Sequence, residues 1–137
     1  MENCIFCRII RGEIPSWKVY EDECTYAFFD INPMNEYHTL VIPKKHCVNM
    51  FDISENEAVS VMKTIKKIVG LYNEKLGLEN LQIVSNSGEH AQQDVFHLHF
   101  HIVPRFENDG QNSKWPQSFT ELRDKFDDLL LKLHNYK

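Results

Sequence analysis

The chain has 137 residues and a formal net charge of −5, and this length suits one globular domain with a substantial core. The acidic balance argues against a broad basic surface for nucleic acid, although a small nucleotide held in a pocket is compatible with it. No apolar run approaches the ~20 residues of a membrane-spanning helix. We therefore expect neither nucleic acid nor a membrane as a partner.

The first residues, Met1 to Cys4, lack the charged start and the apolar stretch of a signal peptide. We therefore expect a cytoplasmic protein in a reducing compartment, where close cysteines bind metal or do redox work more often than they form disulfides. The sequence contains no low-complexity segment, linker or internal repeat, which indicates a single domain over residues 1–137.

The first half of the chain is predicted to consist mainly of strands. Residues 4–11 read as a short helical turn, which Gly12 and Pro15 end. Three strands are predicted over residues 18–20, 25–30 and 37–42, with a turn at 21–23, and two more over 81–84 and 97–104.

The clearest helix covers residues 54–76. Ser54 and Glu57 form a capping-box pattern at its start, and Gly77 provides a C-terminal stop. Apolar residues recur within it at helical spacing, so one face is expected to be buried.

A second helix is predicted from residue 119 to about residue 134, after a polar loop over residues 107–115. Ser118 and Glu121 repeat the capping pattern, and an apolar stripe predicts packing on the body or on a partner subunit. Strands dominate the first half without regular βαβ alternation. The expected fold class is therefore α+β with a mainly antiparallel sheet.

The stretch from His97 to Val103 alternates histidine with apolar residues. On a strand, His97, His99 and His101 would share one face at a spacing of about 6.6 Å, suited to successive contacts with one ligand. Imidazole is partly unprotonated near neutral pH and attacks phosphorus well, and no Ser, Cys or Lys lies in a recognisable nucleophile motif. A phosphohistidine-type intermediate is thus the economical mechanism, and a solvated strand face is the plainer alternative.

The pair Cys4-x-x-Cys7 predicts a zinc site, which needs about two more ligands. Spacing alone leaves the choice open among one histidine of the row and His46, Cys47 and Cys24. A redox dithiol fits less well because no strand precedes Cys4. Two small buried side chains are the structural alternative.

These residues resemble the histidine triad (HIT) family, whose signature is met without a mismatch from His97 to Val103. The resemblance extends over residues 4–105, where segments 4–10, 13–15, 27–33 and 38–46 are similar to the HINT-type branch. It implies a HIT-like fold with a five-stranded antiparallel sheet, two main helices and a homodimer. Residues 106–137 would form a C-terminal loop and helix beyond that body.

The resemblance implies a purine nucleotide-binding hydrolase that cleaves at the α-phosphate of nucleoside phosphoramidates or related nucleotides. His99 would attack phosphorus to give a nucleotidyl-histidine, and water would then release a nucleoside monophosphate. His101 would contact the phosphate and leaving group, and its backbone carbonyl would orient His99. The alternatives are a diadenosine polyphosphate hydrolase, a nucleotide-binding regulatory protein with incidental catalysis, and a zinc-stapled redox protein.

The resemblance also assigns the nucleotide contacts. Asp30 matches the residue that holds the ribose hydroxyls, while Asn86 and Gln93 match phosphate-side or leaving-group contacts. His38 is expected behind the site. The apolar base pocket matches the side chains Phe6, Ile14, Phe28, Ile31 and Leu40, any of which is plain core in the alternative interpretation.

Microbial relatives with a Cys-x-x-Cys start imply that the zinc ligands are Cys4, Cys7, His46 and His97, which resolves the choice left open by spacing. Two positions depart from the family pattern. Gln92 stands where many relatives have Gly, and Asp94 where they have a small or hydroxyl residue. A carboxylate facing a phosphate is repulsive unless it points away, so the preferred leaving group is left open.

Overall fold

The computed structural model describes residues 2–111 and 118–135, in which five antiparallel strands form one sheet of order β1-β2-β3-β5-β4. The strands are β1 Lys18–Glu21, β2 Thr25–Phe29, β3 Thr39–Pro43, β4 Leu81–Val84 and β5 Phe100–Pro104. The helices are α1 Ile5–Ile10, α2 Glu55–Leu76 and α3 Phe126–His134, with 3-10 turns at Glu89–Ala91 and Thr120–Lys125. The predicted α+β class and five-stranded antiparallel sheet are confirmed.

Successive side chains of each strand point to opposite faces of the sheet, and each face has its own apolar core. Ala27 and Val41 lie on the face covered by α2, whose Ile65 and Ile68 are 1% exposed. Burial of such side chains contributes about 1.5–3 kcal/mol each. The other face packs on α1 through the buried side chains Phe6, Ile9, Tyr26, Phe28, Leu40 and Ile42.

Paired hydroxyls join the sheet to α2. Thr25 and Thr64 lie 2.7 Å apart between their hydroxyl oxygens, and Thr39 and Tyr72 lie 2.6 Å apart. Within residues 2–111 and 118–135, every buried side-chain nitrogen or oxygen has a hydrogen-bond partner. These bonds allow polar side chains to lie in the core without a desolvation penalty.

The bounds of α2 follow the sequence prediction closely. The Ser54 hydroxyl accepts a hydrogen bond from the Glu57 N–H at 3.2 Å and caps the first turn. Gly77 follows the helix in the left-handed conformation, with φ of 65°. That conformation suits glycine, which has no Cβ.

The fifth strand is shorter than predicted. It begins at Phe100, so His97 and His99 precede it, and of the three histidines only His101 lies on the strand. The ladder between β3 and β5 ends at the pair Val41 and Phe100, shortly before Pro43, which has no N–H to donate. The Leu98 N–H instead donates to the Cys47 carbonyl at 2.9 Å.

The C-terminal helix also differs from the prediction. Residues 120–125 form a 3-10 turn before α3, and Ser118 and Glu121 do not cap a continuous helix, since residue 119 precedes the turn without a side-chain cap. Every described side chain of this segment is exposed, so the apolar stripe does not pack on the described body. Those apolar side chains are Phe119, Leu122, Phe126, Leu129, Leu130 and Leu133.

The polar loop after β5 is organised by Asp109, whose carboxylate accepts two hydrogen bonds from the Arg105 guanidinium at 2.8 and 3.0 Å. Residues 107–111 lie in this loop as predicted, and residues 112–115 of the predicted loop lie outside the described residues. Over the described ranges, no helix has the length and apolarity needed to cross a bilayer.

Candidate active site

His101 faces the α1 side of the sheet because of the register of β5. It lies opposite Leu40 of β3, which in turn lies opposite Phe28 of β2, and directly opposed residues share a face. Its neighbour Ile102 is fully buried on the other face, in the α2 core. Strand pairing therefore brings an imidazole beside two apolar side chains of the predicted base pocket.

His99 is oriented by the main chain. Its Nδ1 lies 2.8 Å from the backbone carbonyl oxygen of His97. A carbonyl only accepts, so Nδ1 carries a proton, and in the neutral form of the ring the lone pair is on Nε2. The prediction that the His101 carbonyl orients His99 is thus wrong. His101 lies within β5 and is paired with β3, whereas His97 precedes the strand and its carbonyl accepts the bond from His99.

A chain of hydrogen bonds fixes the tautomers of two further histidines. The Met34 N–H donates to His38 Nδ1 at 3.0 Å, so the proton of neutral His38 lies on Nε2. That Nε2 lies 2.9 Å from His101 Nδ1, which must then accept. His101 is left with its Nε2–H as a donor for a ligand.

Burial keeps both of these histidines neutral. It lowers the pKa of His101 to about 4, with His99 and His38 contributing in the same direction. Burial likewise lowers the pKa of His38, although the nearby Asp30 carboxylate opposes the shift. The tautomers inferred above are therefore the forms present near neutral pH.

These groups open into a cavity of about 270 Å³ between α1 and the sheet. Its wall contains His99, His101 and Asp30, together with all five predicted base-pocket residues, Phe6, Ile14, Phe28, Ile31 and Leu40. Phe6 and Phe28 are buried, and Ile31 is 72% exposed at the rim. A mostly apolar cavity with a few convergent polar groups is the usual form of a small-molecule site.

Asn86 and Gln93 do not line this cavity. The Gln93 amide is used within the protein: its Nε2–H groups donate to the Val48 and Val95 carbonyls, and its Oε1 accepts from the Gly88 N–H at 2.8 Å. The predicted phosphate-side contacts of both residues stay predictions. Gln92, at the position where many relatives have Gly, has φ of 69°, a conformation that favours glycine.

Asp94 lies at the edge of the cavity beside the nucleophile candidate. Its Oδ1 is 3.5 Å from His99 Nε2 and accepts a hydrogen bond from the Val95 N–H at 2.8 Å. The side chain is 81% exposed. The carboxylate that departs from the family pattern therefore lies at the predicted point of attack.

Two contacts that support the histidines could not be predicted from the sequence. The Ser85 hydroxyl donates to the His99 carbonyl at 2.9 Å, and Met34 acts through its N–H, whatever its side chain. Ser85 directly follows β4, and its position beside the residues that precede β5 becomes known only once the strands are paired.

A second cluster lies behind His97 and has the composition of a zinc site. Cys4, Cys7, His46 and His97 each offer one ligand atom, and these four atoms lie within 4.8 Å of one another. The sulfur-to-Nδ1 distances from Cys4 to His97 and from Cys7 to His46 are 3.3 and 3.4 Å. Zn–S and Zn–N bonds in a tetrahedron place such atoms about 3.5 Å apart, so the residues fit zinc.

His97 is also in the right protonation state for a metal ligand. Its Nε2 lies 2.8 Å from the Pro43 carbonyl oxygen, so Nε2 carries the proton and the Nδ1 lone pair faces the sulfurs. Burial lowers the pKa of His97 to about 4, which keeps the ring neutral. Cys24 is exposed, and neither it nor Cys47 joins the cluster.

Residues 11–108 match the HIT domain family, and the chain belongs to this family. An uncharacterised HIT-like protein of Methanocaldococcus jannaschii is 50% identical over 112 residues, which cover 82% of this chain and 86% of the relative. Adenosine 5′-monophosphoramidase of Saccharomyces cerevisiae is 39% identical over 132 residues, covering 96% of this chain and 78% of that enzyme. The prediction of a histidine triad enzyme is thus confirmed at the level of the family.

Solved structures support the same assignment over nearly the whole chain. A HIT family protein from Bacillus anthracis has a TM-score of 0.87 at 34% identity and covers 98% of this chain and 96% of its own. A Zn-bound histidine triad family protein from Mycobacterium smegmatis has a TM-score of 0.77 at 31% identity, covering 99% of both chains. The predicted HIT-like fold is confirmed.

Proposed function

We propose that this chain is a nucleoside phosphoramidase that forms a nucleotidyl-histidine on His99. The observation that carries the proposal is the His99 tautomer: Nδ1–H donates to the His97 carbonyl at 2.8 Å and leaves the Nε2 lone pair at the cavity wall. In the first step Nε2 bonds to the α-phosphorus, the P–N bond breaks, and the nitrogen leaves as an amine after taking up a proton. Water then attacks phosphorus and releases the nucleoside monophosphate.

His101 is suited to stabilise the charge that develops on the phosphate. Because its Nδ1 accepts from His38, its Nε2–H is the free donor. A preorganised donor aimed at developing negative charge is the most effective kind of electrostatic catalysis. His38, held by the Met34 N–H, is a positioning residue that fixes the direction of this donor.

The purine and ribose would occupy the remaining wall of the cavity. Phe6 and Phe28 meet edge to face, with ring centroids 5.6 Å apart, and contribute apolar wall against which a base would pack. Asp30 uses Oδ1 to accept the Asn32 N–H at 2.8 Å, which leaves Oδ2 to accept ribose hydroxyls. This arrangement supports recognition of a nucleoside.

Zinc would be held by Cys4, Cys7, His46 and His97 and would act as a structural ion with a full set of protein ligands. It would tie the start of α1 and the segment after β3 to His97, two residues before His99. The Nδ1–H of His99 donates to the carbonyl of His97, so the metal site would support the nucleophile through the main chain. A cytoplasmic, reducing location would keep both thiols available.

A homodimer is the remaining part of the proposal, with residues 1–137 as one HIT domain in each subunit. The edge strand β4 exposes 44% of Ile83 and 39% of Val84, and α2 exposes about half of Val59 and of Met62. Exposed apolar side chains on an unpaired edge are the kind of surface that a second copy covers. The uncovered α3 offers a second such surface.

Turnover of adenosine 5′-phosphoramidate beside diadenosine tetraphosphate tests the proposed chemistry. Preferential release of AMP from the phosphoramidate is expected, together with a covalent AMP adduct in native mass spectra after rapid quenching. His99→Ala should abolish both, whereas His90→Ala, at an exposed histidine outside the cavity, should leave both unchanged.

The other outcomes would favour the alternatives. Preferential cleavage of the dinucleotide would make the chain a dinucleotide hydrolase. AMP binding without cleavage of either compound would favour a regulatory nucleotide-binding protein. Rapid alkylation of Cys4 and Cys7 in the zinc-loaded chain would contradict the structural metal site.

A further inference from the structure

A second surface groove adjoins the nucleotide cavity. It has a volume of about 610 Å³, and it shares with the cavity the wall residues Ile5, Asp94 and Val95. Beyond these it is lined by the N-terminal residues 2–4, His46 and Phe96. The group attached to a phosphate beside His99 would extend past these shared residues towards the groove.

Two carboxylates line the groove, those of Asp94 and Glu2, and both side chains are exposed. Among the described residues, neither the cavity nor the groove is lined by a lysine or an arginine. The groove also contains His46, whose Nδ1 faces the Cys7 sulfur.

Apolar side chains supply the rest of the groove surface. Ile5 is 44% exposed and Phe96 is 52% exposed, so both can pack against an aliphatic stem. An apolar floor with carboxylates at its edges suits an alkyl chain that ends in an ammonium group. A polyphosphate chain would instead place several negative charges near Asp94, with no lysine or arginine among the described lining residues to neutralise them.

From these observations we propose that Asp94 is a specificity-determining residue that selects phosphoramidates whose leaving amine carries a second, cationic group. The proposal rests on the proposed phosphoramidase function. Attack requires the α-phosphorus to come within about 3–3.5 Å of His99 Nε2, and the Asp94 oxygen lies 3.5 Å from that nitrogen. The carboxylate would therefore lie beside the reacting phosphate, where its negative charge acts on the charge of the whole substrate, the leaving group included.

Three adenosine 5′-phosphoramidates of matched length test the proposal. Their amines are 1,5-diaminopentane (cationic end), pentylamine (neutral end) and 5-aminopentanoate (anionic end). For the native chain we expect kcat/KM to fall in that order. Each step should be about 3- to 10-fold at low ionic strength, a modest range because the carboxylate is largely exposed and screened by solvent.

Variants separate the charge of Asp94 from its shape and from the net charge of the protein. Asp94→Asn should compress the order to less than about 2-fold per step and raise the relative turnover of diadenosine tetraphosphate, whereas Asp94→Glu should restore the order. Glu79→Gln removes one negative charge at a residue that lines neither the cavity nor the groove, and it should keep the order of kcat/KM seen for the native chain.

The outcomes distinguish the role of Asp94 from the proposed phosphoramidase function. Cleavage of all three compounds at equal rates, or an order that Asp94→Asn leaves intact, would overturn the role of Asp94 while leaving the phosphoramidase function in place. Cleavage of none of them, with retained AMP binding, would overturn the proposed function itself. High salt should compress the native order, since screening weakens the interaction between exposed charges.

Discussion

We expect His38→Leu to slow turnover of a nucleoside phosphoramidate without unfolding the protein. His38 is 3% exposed, and its Nε2–H donates to His101 Nδ1 at 2.9 Å. Leucine has a similar size but no donor, so the buried nitrogen of His101 would lose its partner. A buried polar group left unpaired costs about 1–3 kcal/mol, which corresponds to a roughly 5- to 150-fold loss of kcat if it is felt in the transition state.

His38→Gln is the matched control, because the glutamine amide nitrogen can occupy the place of the imidazole Nε2. It should retain kcat within about 10-fold of the native chain. Steady-state kinetics on an adenosine phosphoramidate would separate kcat from KM, and urea unfolding would check that both variants are folded. Equal activity of the Leu and Gln variants, whether both high or both low, would refute the proposed role of the donor.

Three further predictions concern stability. Zinc should raise the Tm of the metal-free chain, with a stabilisation of about 4 kcal/mol when zinc exceeds its Kd 1,000-fold, and Cys7→Ser should remove that rise. Thr25→Val should lower the free energy of unfolding in urea by about 1–3 kcal/mol, because the buried Thr64 hydroxyl loses its 2.7 Å partner; a Thr25→Val/Thr64→Val chain should lose less than the two single changes combined. The Arg105 guanidinium holds the pKa of Asp109 well below its usual range, so its contribution to stability is present above about pH 4 and is lost as the pH falls. The free energy of unfolding of Asp109→Asn should thus lie below that of the native chain at pH 7 and approach it in acid.

Each of these stability predictions has a result that would contradict it. A zinc-dependent Tm in Cys7→Ser would place the metal elsewhere, and additive losses in the Thr25 and Thr64 variants would mean that the hydroxyls do not interact. A constant difference between Asp109→Asn and the native chain from pH 7 to pH 3 would show that the carboxylate does not retain its charge through the Arg105 pair.

Local patterns were sufficient to predict most of the elements. Helix α2 begins and ends where Ser54 and Gly77 predict, because capping and the left-handed stop depend on neighbouring residues. The strand predicted over residues 97–104 began three residues too early, because the ladder to β3 ends at Val41 and Phe100. Where a strand begins or ends depends on the strands beside it, so the alternation of polar and apolar residues within the strand does not predict its bounds.

The prediction of the site was strongest where chemistry requires particular residue types. The four atoms predicted as zinc ligands come together, and all five base-pocket residues line one cavity. Neither grouping follows from spacing, because the cysteines and His97 are about 90 residues apart in the chain, and only the family resemblance selected them. The Gln93 amide bonds to backbone groups of Gly88, Val48 and Val95, a use that no sequence pattern distinguishes from ligand binding, and its phosphate-side contact stays a prediction.

The two-faced register of β5 limits which changes of length the chain can tolerate. His101 points to the cavity and Ile102 to the α2 core. Inserting or deleting one residue before them would reverse the two faces, so that an imidazole would enter the core and an aliphatic side chain would enter the cavity. Loss of the core and loss of the site would therefore occur together. Insertions and deletions during divergence should accumulate in the turns between strands, while β5 keeps a fixed length.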